Sequence, residues 1–168
     1  MRFKGLFCLI LGLLLCLGAM GCSGTAQDHY ALLRGGFEAE VEGELNGVHF
    51  CALFEAAMTP EAGVRPVTLT FYAPSVLAGT ILARDTEGVV TLTTRDVVLR
   101  DPVGEGFSAL LELFPTGGED LSVTLDEGGR TQVTAREHTL TFLPDGTPYA
   151  VKTDDLAVRV VRFERTDP

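Results

Sequence analysis

The chain has no tryptophan, three histidines and four cysteines in 168 residues, and its 13 lysines and arginines are outnumbered by 23 acidic residues, for a net charge of −10. Each shortage removes a class of function. Without tryptophan and with few aromatics, the sequence offers no stacking platform for sugars or bases. The acidic excess opposes phosphate backbones and anionic headgroups, which excludes nucleic acid as a partner. His29, His49 and His138 are scattered, without the spacing or the supporting cysteines of a zinc site. Ser23, Ser75, Ser108 and Ser122 sit in neither a Gly-x-Ser-x-Gly elbow nor a Ser-x-x-Lys motif. Asp85 with Asp96, and Asp154 with Asp155, are the nearest approach to an acid and base pair, and nothing in the sequence sets either pair at a working separation. The sequence therefore predicts a non-enzymatic protein with no metal and no cofactor.

What is present begins at the N-terminus. Met1, Arg2, Phe3 and Lys4 make a short cationic start, and an apolar run follows from Gly5 to Gly21. Its 17 residues, interrupted by Gly5, Gly12, Gly18 and Gly21, fall short of the roughly 20 needed to span a bilayer and suit a removed signal. Leu17-Gly18-Ala19-Met20-Gly21-Cys22 resembles the lipobox of a bacterial lipoprotein signal peptide. Ala19-Met20-Gly21 alone would also serve an ordinary secretory signal, and the cysteine at the next position decides for the lipobox. The resemblance implies a diacylglycerol on the Cys22 thiol, cleavage after Gly21 and acylation of the new amine. Residues 1–21 are then signal peptide, 22–36 a lipidated tether of mixed polar composition, and 37–168 one domain of ordinary size. Two or more acyl chains hold a protein stably at a bilayer. The implied location is the extracytoplasmic face of a cell membrane.

Without Arg2 and Lys4, 11 basic residues face 23 acidic ones, so the processed chain carries −12 and its acyl chains must supply the grip. Cys8 and Cys16 leave with the signal and Cys22 is acylated, so Cys51 has no intramolecular partner and no disulfide framework exists. Cys51 reads as a small buried or half-buried apolar residue.

From Phe37 the period is two. Phe37, Ala39, Val41, Gly43 and Leu45 share one face of a strand, and Glu38, Glu40, Glu42 and Glu44 the other. Asn46-Gly47 predicts a tight hairpin turn, after which Val48, Phe50, Ala52, Phe54 and Ala56 resume the alternation. Further strands are expected at Val67–Ala73, Thr80–Asp85, Val89–Thr94, Leu121–Leu125, Thr131–Arg136, His138–Leu143, Tyr149–Thr153 and Leu156–Phe163, with Val97–Leu99 a short addition. The four glutamates are about 6.5 to 7 Å apart along a line and do not converge on a cation, so they form a solvated face. Asp126-Glu127-Gly128-Gly129 and Asp145-Gly146 lack the ligand series of a calcium loop and read as turns.

One segment changes period. Phe107, Leu110, Leu111 and Phe114 follow i, i+3, i+4, i+7, a helical stripe closed by Pro115 and Gly117-Gly118. A helix of about two turns does not persist alone in water and must dock on the sheet. The expected architecture is mainly β: a strongly curved antiparallel half-barrel of about nine or ten strands with one short helix on its concave face. Phe50, Phe54, Leu69, Phe71, Leu82, Leu92, Phe107, Leu110, Leu111 and Phe114 fall on the inward registers. They read either as a packed core or as the lining of a pocket for an acyl chain.

Three stretches resemble the lipoprotein-carrier family that includes the periplasmic carrier LolA and the mycobacterial glycolipid-binding lipoproteins. They are Phe37–Gly43 with Phe50; Val67–Pro74 with Leu77, Gly79, Arg84, Asp85 and Gly88; and Asp145–Val151. The chain is also similar to small lipoproteins of Gram-positive bacteria. The resemblance covers Phe37 to Phe163 and implies a curved antiparallel sheet around short helices, with an apolar cavity for acyl chains. It implies a lipid or amphiphile as ligand, while the acidic outer face would suit contact with another envelope protein. The bilayer itself is the partner implied by Cys22. Replacing Cys22 with Ser is expected to abolish incorporation of labelled palmitate, and fractionation should find the protein released or uncleaved.

Overall fold

A computed structural model of the chain describes residues 26–45, 47–102, 105–116, 121–135 and 137–166. The signal, the lipobox and Cys22 lie outside the described residues, as do Asn46 of the first turn and Gly117-Gly118. Helix α1 (Ala26–Arg34) leads into β1 (Phe37–Leu45), β2 (Val48–Ala56), β3 (Val67–Ala73), β4 (Ile81–Arg84), β5 (Val90–Thr94) and β6 (Val97–Arg100). Helix α2 (Glu105–Leu111) separates these from β7 (Ser122–Leu125), β8 (Thr131–Ala135), β9 (His138–Phe142), β10 (Pro148–Lys152) and β11 (Leu156–Arg165). The alternating segments all form strands, and the hairpin turn has Gly47 at φ 78°, the left-handed conformation such turns require.

The fold is a half-barrel: one open, wholly antiparallel sheet of eleven strands in the order β6-β5-β4-β3-β2-β1-β11-β10-β9-β8-β7. It comprises two meanders. The first and last strands pair at its centre, from Phe37↔Arg165 to Leu45↔Leu156, and each meander runs outward from that seam. Bends come from register shifts at Glu40/Val41, Cys51/Ala52 and Pro148/Ala150. Each shift of this kind bends its strand and raises local twist.

Alternation makes one face of this sheet apolar, and the helices cover it. Phe37 is the hub of an aromatic cluster: its ring centroid lies 5.9 Å from Phe54, 5.3 Å from Phe114 and 4.9 Å from Phe163, and Phe54 is 4.9 Å from Phe114. The guanidinium of Arg65, only 7% exposed, stacks on Phe37 at 4.9 Å. Arg65 also donates from Nε to the Ala57 carbonyl and from Nη2 to the Gly35 carbonyl, both at 2.7 Å. It thereby ties the β2–β3 loop to the junction of α1 and β1.

Two local expectations change. The segment 26–34, expected as part of the polar tether, is helical because Tyr30 and Leu33, one turn apart, are both fully buried against the sheet. The single helix expected over Phe107–Phe114 is the second of two among the described residues and ends at Leu111. Leu113 and Phe114 continue beyond it into the core in a non-helical turn.

Gly43 explains why the seam closes. It lies between Phe50 of β2 and Val158 of β11, and a Cβ there would come within 2.8 Å of both side chains. Glycine admits the Phe50 ring over the strand backbone. Gly43→Ala is expected to cost about 1–3 kcal/mol in denaturant unfolding. Adding Phe50→Leu should recover part of that loss, because the two sites share one contact.

Candidate functional site

The structure brings the ten inward residues into one cluster. Phe50, Phe54, Leu69, Phe71, Leu82, Leu110, Leu111 and Phe114 are buried, while Leu92 and Phe107 pack against them half-covered. Phe50 meets Phe71 edge-on at 5.8 Å. The sheet supplies the floor and α2, with the turn after it, supplies the cover. The apolar layer continues beyond these ten through Val133, Leu140, Phe142, Val151, Leu156 and Val158, and Tyr30 and Leu33 of α1 belong to the same cluster. Sequence periodicity missed the α1 contribution, since its two core residues stand in a short polar window. The available signal was the His29, Tyr30, Leu33 spacing, and His29 does lie 5.2 Å from Phe142.

Within this apolar interior the Tyr30 hydroxyl is buried without a hydrogen-bond partner. Burial pushes its pKa up, so it is a neutral O–H donor. An unpaired buried hydroxyl costs about 1–3 kcal/mol. Around the cover, Arg84 pairs with Glu112 just past α2, and Arg34 of α1 donates to the Thr116 carbonyl at 3.3 Å. These contacts fasten the segment 112–116 to the first meander and to α1.

The other face of the sheet carries an open groove of about 930 Å³ across β2, β1, β11, β10, β9 and β8. Ala150, Ala157, Cys51 and Tyr149 line it together with Glu42, Glu44, Lys152 and Arg159. Of the ten inward residues this groove touches Phe50 alone. Cys51 is half-buried and free. The glutamate row is not simply acidic. Arg159 donates from Nη2 to Glu42 Oε2 at 2.7 Å, which holds its pKa above the usual guanidinium value, and Arg162 lies 3.0 Å from Glu40. Register places these pairs directly across the seam. Tyr72 stands near the same charges, its pKa raised by partial burial and by Glu40, Cys51 and Glu42.

A second groove, of about 430 Å³, gathers Ser108, Glu112, Glu137, His138, Asp154 and Asp155 beside α2. Among the described residues no group of three histidine, cysteine or acidic side chains could hold a metal ion. Three of the aspartates weighed as calcium or catalytic fragments, Asp85, Asp126 and Asp145, serve their turns. Asp126 Oδ1 accepts from the Gly128 and Arg130 amides at 2.9 Å and Oδ2 from Arg130 Nε at 2.7 Å. The Arg130 amide is the main reason its pKa is lowered. Asp85 caps Glu87 and Val89, and Asp145 caps Thr147.

No protein-family model matches the sequence, and no curated protein matches it. Among solved structures, an uncharacterized conserved protein from Thermus thermophilus superposes with a TM-score of 0.56 at 19% identity, covering 85% of this chain and 86% of that one. MucB superposes with a TM-score of 0.53 at 13% identity over 87% of this chain, which spans 60% of MucB. A Vibrio parahaemolyticus domain described as that of an outer membrane lipoprotein-sorting protein gives 0.50 at 11% identity, covering 84% of this chain and 90% of that domain. The chain shares its half-barrel fold with these solved structures. In this half-barrel the apolar interior and the outer groove are separate surfaces, divided by the thickness of one sheet.

The ion pairs on the outer face are exposed, with Arg159 and Glu42 side chains 60% and 46% accessible. A double-mutant cycle on Glu42 and Arg159 is expected to give a coupling of about 0.2–1 kcal/mol that falls as salt is added.

Proposed function

We propose that the protein is an envelope lipoprotein, held on the extracytoplasmic face of a membrane by acyl chains on Cys22, whose half-barrel binds a lipid or other amphiphile on its concave apolar face. The carrying observation is the cover of that face. A continuous layer of buried aliphatic and aromatic side chains is closed by two short helices, where most two-layer folds place a second sheet or long helices. Helix α2 has seven residues and is too short to be stable alone. It stays in place because Leu110 and Leu111 are buried over the sheet. An acyl chain offers the same apolar contact. Binding replaces the α2 stripe and Phe114 with the ligand's chain, and the six strand residues among the ten, Phe50, Phe54, Leu69, Phe71, Leu82 and Leu92, become its lining. The Tyr30 hydroxyl is the donor available inside the layer for a carbonyl or carboxyl oxygen of the ligand's polar end.

The reading makes the closed cover a competitor of the ligand. Truncating Leu110 and Leu111 to Ala should lower stability by several kcal/mol and yet tighten binding of a fluorescent fatty acid, because a larger fraction of molecules is open. Tyr30→Phe should leave the free protein as stable or more so, since an unpaired hydroxyl is removed, and should weaken fatty-acid binding. Both are measured on a chain beginning after Cys22, with native mass spectrometry giving the stoichiometry. If neither the parent chain nor the Leu110/Leu111 variant takes up fatty acid, the interior is a packed core and the reading fails. The outer groove favours a second reading, contact with another envelope protein. Its mixed rim of Glu42, Glu44, Lys152 and Arg159 suits a polypeptide segment carrying both charges.

A further inference from the structure

Strand β6 is one of the two edges of the open sheet, and its side chains are exposed on both faces: Val97, Val98 and Leu99 are 52%, 60% and 48% accessible. An edge strand presents a row of free N–H and C=O groups, and folds usually blunt it with lysine, proline, a bulge or a covering segment. The sequence Arg95-Asp96-Val97-Val98-Leu99-Arg100-Asp101 is instead mirror-matched in charge about Val98. An acid at 96 answers a base at 100, and a base at 95 answers an acid at 101. We propose that β6 pairs with β6 of a second copy of this chain, antiparallel about a twofold axis at Val98.

The ladder to β5 shows that the backbone is set for this. The turn between β5 and β6 has two residues, so Thr94↔Val97 is a bonded pair, and bonded pairs recur at every second position of an antiparallel ladder. The Asp101 amide accordingly donates to the Val90 carbonyl at 2.7 Å. Residues 97, 99 and 101 are thus engaged with β5, and Val98 and Arg100 turn their N–H and C=O groups to the open edge. Pairing centred on Val98 joins its N–H and C=O to those of Val98 in the second copy. Arg100 of each copy, on the same side of the sheet as Val98, then lies opposite the turn residue Asp96 of the other. On the opposite side Val97 faces Leu99 in each direction. Arg95 and Asp96 form the turn before β6, and Asp101, at φ 46°, leaves the strand conformation after it, so the backbone ladder is confined to Val97–Arg100. The other edge does not offer this match. In β7, Ser122 and Thr124 are neutral, and the adjacent Asp126 is already held by Arg130. Contact of β6 with β7 would be head-to-tail and would build open chains, whereas β6 with β6 closes as a dimer.

The test is sedimentation velocity on the full chain extracted in mild detergent. The wild type should be a dimer. Asp96→Arg and Arg100→Asp each set like charges against one another at both ends of the ladder, and each variant alone should have a dimer dissociation constant at least about tenfold higher. An equimolar mixture of the two variants restores opposite charges at both ends and should dimerise. Circular dichroism of each variant, altered only at exposed positions, should match the wild type. A monomeric wild type at its highest soluble concentration overturns the proposal, as does a dimer that survives both substitutions or a mixture that stays monomeric. Open-ended oligomers that disappear with Leu125→Lys would overturn it in favour of β6–β7 contact.

Discussion

The pairing of the first strand with the last is the constraint on which this architecture depends. Nine residues of β1 meet β11 and the same nine meet β2, so β1 is buried between neighbours on both sides and every other strand is reached outward from it. The chain must bring Phe37 to Arg165 before the two meanders become one sheet. That closure carries an entropic cost that grows only slowly with loop length. What it gains is concentrated at the same place. The Phe37, Phe54, Phe114 and Phe163 rings collect at one end of the seam, and Gly43 lets Phe50 and Val158 meet across the strand. The loop β2–β3 is then locked onto the seam by the buried Arg65, whose charge is balanced by backbone carbonyls and an aromatic face.

Much of this was legible in the order of residues, for a definite reason. A strand with one face buried and one wet must alternate, and β1, β2 and β3 do so residue by residue, with their ends marked by Asn46-Gly47, Pro66 and Pro74. The inward large residues could be named because alternation assigns them a face before any partner is known. Two things could not be read. Strand order is a long-range choice, and a run of hairpins looks the same whether it forms one meander or two joined at their outer ends. Helix α1 was illegible because, among its described side chains, the buried ones are Tyr30 and Leu33, too few residues to declare a period. The same limit applied to the turn after α2, where Leu113 is fully buried without belonging to any stripe.

Two surfaces of opposite character result from one alternating pattern. The concave side is apolar and covered, and its few polar groups include the Tyr30 hydroxyl and the Arg65 guanidinium stacked on Phe37. The outer side is polar, and its acidic row is partly neutralised by Arg159 and Arg162, two residues supplied from the far end of the chain. The sequence excess of acid therefore overstates the charge of the central outer face. Composition sums the whole chain, whereas the field at a groove depends on which strands the topology places side by side.

The central seam also sets how the molecule responds to force. Phe37 and Arg165 face each other at one end of two adjacent antiparallel strands, and the Thr166 amide reaches back to the Gly36 carbonyl. Tension applied between the two ends of the domain, once α1 has lifted, acts across the first rung of this ladder instead of along it. The bonds of the seam are loaded one after another, in the manner of a zip, rather than all together in shear. The pairing that organises the fold is thus also the one a pull between its ends would open first.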